Sequence, residues 1–166
     1  MKKILTLVLA VAIILAFGAF GLASGESGTS DQGSGSAEGS TASNSDLGDY
    51  SVVIDSCRLA RNYDDKPVVI VKYKYTNNSS DTATAFWVAF DDTVYQNGVG
   101  LNEAYMLDDS ANYNSDNQMK EIKKGASIDV EVAYELNDTT TDIEVEVKEL
   151  FSFSDKTLTK TFKIAQ

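Results

Sequence analysis

Ile128-Asp129-Val130-Glu131-Val132-Ala133-Tyr134-Glu135-Leu136 is the stretch whose reading decides the fold. Ile128, Val130, Val132, Tyr134 and Leu136 fall on one side of an extended chain, and Asp129, Glu131 and Glu135 on the other. That period of two belongs to a strand with one buried face. Asn137-Asp138-Thr139-Thr140 then turns the chain into a second alternation, Ile143, Val145 and Val147 against Glu144, Glu146 and Lys148. The outward faces of the two strands collect Asp129, Glu131, Glu135, Glu144 and Glu146. If the strands were neighbours, these like charges would oppose one another unless Lys72 and Lys74, or Lys156 and Lys163, came from a third strand.

Working outward, the same period recurs. Tyr50, Val52 and Ile54 alternate with Ser51, Val53 and Asp55, and the run continues to Arg61 before the turn-rich segment Asn62 to Pro67. Val68 to Thr76 is rich in β-branched and aromatic residues; it predicts a strand buried on both faces at its start and wet on one face later. Thr84 to Phe90 is expected to form another strand, with apolar residues on both of its faces. Asn97-Gly98 marks a tight hairpin within Val94 to Val99. Lys123-Lys124-Gly125 separates Met119 to Ile122 from the central alternation. Thr157 to Ile164 places Leu158, Phe162 and Ile164 inward, with Lys160 on the same side, as suits a guarded edge strand. Helical spacing is absent apart from a short turn around Leu101 to Leu107. Seven to nine short strands separated by turns predict an all-β fold, an immunoglobulin-like antiparallel β-sandwich. The Cys…Trp…Cys signature of antibody domains is missing, so core packing must hold the fold.

Composition removes much chemistry. The 166 residues contain no His and one Cys. Imidazole-dependent nucleophiles, His general bases and His-containing metal sites are excluded, as are an internal disulfide, a Cys-only zinc site and an iron–sulfur cluster. The formal charge is −11, and without Lys2 and Lys3 the balance is 12 basic against 25 acidic residues, or −13. Such a surface repels phosphate backbones and anionic lipid, so no nucleic-acid partner is expected.

The N-terminus reads as an address. Lys2-Lys3, an apolar run from Ile4 to Phe17 broken only by Thr6, and the small-residue stretch from Gly18 to Gly25 compose a secretory signal over residues 1–23. Cleavage fits after Ala23 or after Gly25; an uncleaved anchor is the alternative, because Ile4 to Ala23 is 20 residues. Leu22-Ala23-Ser24 resembles the start of a lipobox, but Gly25 stands where the acylated Cys would be. Residues 24–48 hold eight Ser, six Gly, four acidic residues and no basic one. This composition predicts a disordered linker spanning about 25–30 Å. The folded domain is expected over residues 49–166 with a charge of −9.

A resemblance rests on Tyr50-Ser51-Val52, Asp65-Lys66-Pro67-Val68-Val69, Tyr75-Thr76-Asn77-Asn78-Ser79, Tyr95-Gln96-Asn97-Gly98-Val99, Gly125-Ala126-Ser127 and Ala133-Tyr134-Glu135-Leu136. With these the chain resembles an uncharacterised family of secreted or lipid-anchored proteins of Gram-positive bacteria, the domain of unknown function 5067. It departs from that family at Lys124, where Pro is usual, and at Gly25, which lacks the lipidated thiol. The resemblance implies an immunoglobulin-like fold and an extracytoplasmic address; it supplies no catalytic residues.

Among candidate sites, Asp108, Asp109 and Asp116 are weak calcium ligands in a loop that lacks the Gly and closing Glu of an EF-hand, and turn formation by Asx residues explains it better. No other cofactor is expected. Cys57 has no base to activate it; it reads as a small buried hydrophobe or as an intermolecular disulfide partner. Phe86, Trp87 and Phe90, extended by Tyr95, Tyr105 and Tyr113, are the candidate binding patch, suited to stacking on sugars or peptides. The leading functional reading is a non-catalytic extracytoplasmic binding module of the cell envelope. A structural envelope domain without its own ligand ranks second, and a carboxylate- or calcium-dependent enzyme third.

Overall fold

The computed structural model describes residues 45–80, 82–153 and 155–164. Among these residues eight strands form two antiparallel sheets. The first sheet has the order β1 (Ser45–Asp46), β2 (Tyr50–Arg61), β3 (Pro67–Asn77), β6 (Ser127–Glu135). The second has the order β5 (Val99–Gly100), β4 (Phe90–Gln96), β7 (Ile143–Glu149), β8 (Thr157–Phe162). This is the expected β-sandwich. Strands β2-β3-β6 form one layer and β4-β7-β8 the other, with the apolar core between them.

The decisive alternation does what its period demands. Val130, Val132 and Tyr134 on β6 are buried against Val145 and Val147 of β7, with Val69, Val71, Tyr73 and Tyr75 of β3 in the same core. The β6 and β7 strands lie in different sheets, so their acidic faces never oppose one another. Lys72 and Lys74 pair in register with Glu131 and Asp129, and Lys72 Nζ lies 3.0 Å from Asp129. Asn97 and Gly98 turn between β4 and β5 with φ of 55° and 73°, the left-handed pair a two-residue hairpin needs.

Two expectations need correction. Residues Phe86–Ala89 form one helical turn, α1, where a strand was expected, with only a lone bridge from Thr84 to Ile122 beside it. The turn puts Phe86, Ala89 and Phe90, at i, i+3 and i+4, on one buried face and leaves Trp87 and Val88 in solvent. A contiguous apolar run is equally compatible with both periods, and here the arc of the turn solves its packing. The described fold also begins at Ser45 rather than Asp49: β1 pairs with Ser51 and Val52, and Leu47 is buried in the core. The expected signal segment and nearly all of the expected linker lie outside the described residues.

Polar groups close both open sides of the sandwich. On one, a bulge in β2 between Ile54 and Ser56 turns two carbonyls outward, and Lys160 of β8 donates to Ile54 O and Asp55 O, each at 2.8 Å. The expected edge lysine thus joins the edges of the two sheets. On the other side, Tyr134 of β6 donates to Asp92 of β4. The exposed edge of β6 is covered by the long connection from β5. Ala104 N–H donates to Ala133 O, Glu135 N–H to Asn102 O, and the side-chain amides of Gln118 and Asn117 to the carbonyls of Glu131 and Asp129. No long free ladder remains there to recruit another chain. The same connection lays Ala104, Leu107 and Tyr113 over Val68, Ile70 and Ala133, a second small core on the outer face of the first sheet.

Candidate functional site

The α1 turn is preceded by Ala85 in an extended conformation with no side-chain cap, so a turn this short depends on the packing of its buried face. The Phe86 ring lies 5.1 Å from Tyr73 and 5.3 Å from Phe90, and Tyr75 meets Phe90 edge-on at 5.6 Å. Tyr50 closes the cluster against Phe90 at 6.0 Å, and its hydroxyl sits 3.2 Å from Thr84 Oγ1. Such ring pairs contribute about 0.5–1.5 kcal/mol each beyond the area they bury. Phe86 and Phe90 are therefore core residues, and the binding patch expected from them is not at the surface.

What α1 presents outward is Trp87, 54% exposed, and Val88. The β7–β8 connection lies beside it: Leu150 N–H donates to Ala89 O at 2.9 Å, and Leu150, Phe151 and Phe153 follow with their side chains in solvent, Phe151 at 79%. Met119, also exposed, follows a 3-10 turn (Asp116–Gln118) that contacts α1. The chain enters the fold at this same end. Leu47 N–H donates to Tyr50 O, Asn78 N–H to Asp49 O, and Gly48, with φ of 121°, presses against the Glu149 carboxylate where any Cβ would clash. The Lys123–Gly125 turn is held here by Gly125 N–H donating to Asn77 O, and leaves Lys123 and Lys124 exposed.

The other predicted residues are dispersed. Tyr95 is half-buried on β4 opposite Gly100 and Glu144. Tyr105 is exposed and Tyr113 half-buried; they share a shallow groove of about 460 Å³ with Glu103, Asp116 and Lys120, and Trp87 does not line it. Asp108 and Asp109 do not converge with Asp116. Asp108 caps a 3-10 turn by accepting from Ser110 N–H at 2.8 Å; the Ser110 hydroxyl and then this N–H lower its pKa, and Asp109 accepts from the Tyr63 hydroxyl at 2.9 Å. Among the described residues no group of three or more His, Cys, Asp or Glu side chains is placed to hold a metal ion. Beside Asp108 a polar groove of about 770 Å³ runs past Arg58, Arg61 and Tyr63. Arg58 forks onto Glu131 at 2.6 and 3.0 Å and also donates to the carbonyls of Ala111 and Asn112. Burial alone would raise the pKa of Glu131, but Arg58, the Asn114 N–H and Lys72 outweigh it and hold it low. Cys57 is half-buried against the core; burial raises its thiol pKa, and Lys160, not Arg58, is the cation that opposes this.

Two inward polar residues escaped the sequence reading. Gln96 is 1% exposed and makes four hydrogen bonds to the β6–β7 turn: its amide donates to Asp138 O and Thr141 O, and its oxygen accepts from the N–H groups of Asn137 and Asp138. Asp92 accepts from Tyr134, and the Tyr73 hydroxyl, buried nearby, finds no hydrogen-bond partner among the described residues. Burial pushes the Asp92 carboxyl up to about 6, against the hydrogen bond from Tyr134 that lowers it, with Glu103 adding to the rise. Phe151-Ser152-Phe153 was also missed, although two phenylalanines in a segment without strand alternation were a legible signal of exposed apolar surface.

The fold has relatives among solved structures. A candidate lipoprotein from Staphylococcus aureus subsp. aureus NCTC 8325 superimposes with a TM-score of 0.53 at 21% identity, covering 75% of this chain and 94% of that one. A candidate lipoprotein (ycdA) from Bacillus subtilis subsp. subtilis str. 168 gives 0.56 at 20% identity, covering 76% of this chain and 39% of that one. At these identities the likeness is one of fold. No curated protein matches the chain. The family model for a domain of unknown function, DUF5067, matches residues 26–149, including every segment on which the resemblance rested, and the chain belongs to that family.

Proposed function

We propose that this chain is a non-catalytic interaction module of the bacterial cell envelope, working outside the cytoplasm through the α1 end of its sandwich. One observation carries the reading: Trp87, Val88, Leu150, Phe151 and Phe153 are all solvent-exposed at the end where two connections of the sandwich meet. Large apolar side chains gathered on loops over a rigid frame are the usual makings of a recognition surface. The signal-like N-terminus and the fold shared with two candidate lipoproteins support the envelope address.

The test is retention of the chain on purified envelope preparations, with membrane and wall fractions assayed separately. Wild type should be retained and a Trp87→Ser/Phe151→Ser variant released. Equal retention of both, or of neither, would sink the proposal.

A further inference from the structure

We infer that the surface the α1 end engages is a lipid bilayer, so that the domain stands on the membrane with its acidic pole pointing away. This rests on the reading of that end as the interaction surface and names its partner. The argument begins with where the chain outside the described fold arrives. Residues 1–44, with the apolar run from Ile4 to Phe17, lead into Ser45, and Gly48 then touches Glu149, the residue before Leu150. The chain outside the described residues therefore joins the fold at this end. Gly25 in place of a lipidated Cys leaves no acyl chain at that position, so a second, protein-borne contact is of use.

The side-chain chemistry fits an interface. Tryptophan, phenylalanine and leucine projecting from a tip are what partition into the headgroup and upper acyl region. Charge favours the same orientation. Around this end Lys120, Lys123, Lys124 and Lys156 offset four of the five acidic residues Asp49, Asp116, Glu121, Glu149 and Asp155, and Lys148 pairs with Asp91, so the contact zone is only weakly acidic although the domain carries −9. The opposite end holds Asp64, Asp65, Asp108, Asp109, Asp138 and Asp142 against Arg61, Lys66 and Lys163. The nine-residue β6 separates the two ends by about 30 Å at roughly 3.3 Å per residue. That is several times the Debye length of about 8 Å at physiological salt, so anionic headgroups would scarcely feel the acidic pole. Docked the other way up, the same charges would be pressed into the headgroups.

Trp87 is the only tryptophan of the chain and reports its own surroundings. The full chain is reconstituted into vesicles of phosphatidylcholine with a minority of phosphatidylglycerol, a portion of the lipid brominated high on the acyl chain. Trp87 emission should shift to the blue and be quenched by the bromolipid. A Phe151→Ser/Phe153→Ser variant, with an unchanged melting temperature as its folding control, should lose at least tenfold of that quenching. Emission untouched by bromolipid but open to aqueous iodide would overturn the inference, as would a blue shift that follows protein concentration without lipid, the mark of a second copy on this face. Retention on lipid-free wall material, lost in the same variants, would overturn the bilayer inference while leaving the interaction module standing; retention on neither would end both.

Discussion

Replacing Asp92 by Asn should flatten the pH dependence of stability between about pH 4 and pH 6. Asp92 occupies an inward position of β4, between Phe90 and Val94, and its carboxyl is pushed from the ordinary 3.8 up to about 6 by burial. A raised carboxyl pKa means that the folded state keeps a proton which the unfolded chain has already released. The contribution of Asp92 is therefore most favourable below about pH 4, is lost as pH rises through that window, and is unfavourable at neutrality. Two units at about 1.36 kcal/mol each set a ceiling near 3 kcal/mol. The residue keeps some solvent contact, which trims the expected effect to about 1–2 kcal/mol. Asn is nearly isosteric, still accepts the Tyr134 hydroxyl and carries no charge. Urea unfolding across pH 4 to 8 should show wild type losing stability toward pH 6 and Asp92→Asn staying level, the two curves meeting near pH 4. Parallel curves separated by a constant would refute the reasoning, since the proton would then not be linked to folding through this carboxyl.

Further tests concern other parts of the frame. Gln96→Leu keeps the bulk of the side chain but strands four backbone groups of the β6–β7 turn, and should cost about 2–4 kcal/mol in urea unfolding after partial rehydration. Phe86→Ala should cost about 3–5 kcal/mol, whereas its neighbour Trp87→Ser should stay within about 0.5 kcal/mol; similar losses at both would mean that α1 is placed wrongly. Asp138 is held down to about 2 by the N–H groups of Thr140 and Thr141 and by the Thr141 hydroxyl. Its contribution is present above about pH 4 and is lost as pH falls toward 2, so Asp138→Asn should soften the acid limb of the melting curve and leave its slope above pH 5 unchanged.

Strand periodicity was legible because a half-buried strand repeats every two residues whatever it packs against. Hence β2, β3, β6, β7 and β8 could be read from alternation alone, and the β4–β5 turn from Asn97-Gly98, whose left-handed backbone few other residue pairs tolerate. The run from Ala85 to Phe90 was not legible in the same way. A segment apolar at every position has no period, and only the ring cluster of Tyr50, Tyr73 and Tyr75 decides that a helical turn, not a strand, buries Phe86 with Phe90. Asp92 and Gln96 were hidden for a related reason. Hydropathy assigns polar residues to the outside, but their inward placement is made good by partners more than 40 residues away in sequence.

By itself, then, the sequence determined the all-β class, the turn positions, the absence of imidazole chemistry and the signal-like N-terminus, because each depends on local periodicity or on composition. Only the tertiary structure decided that Phe86 and Phe90 belong to the core while Trp87, Phe151 and Phe153 gather at one end, and that Lys160 and Asp92 close opposite sides of the sandwich. Those outcomes depend on which strands become neighbours across the two sheets. Nearest-neighbour patterning in a chain carries no term for that choice; it is made by burying both apolar faces at once.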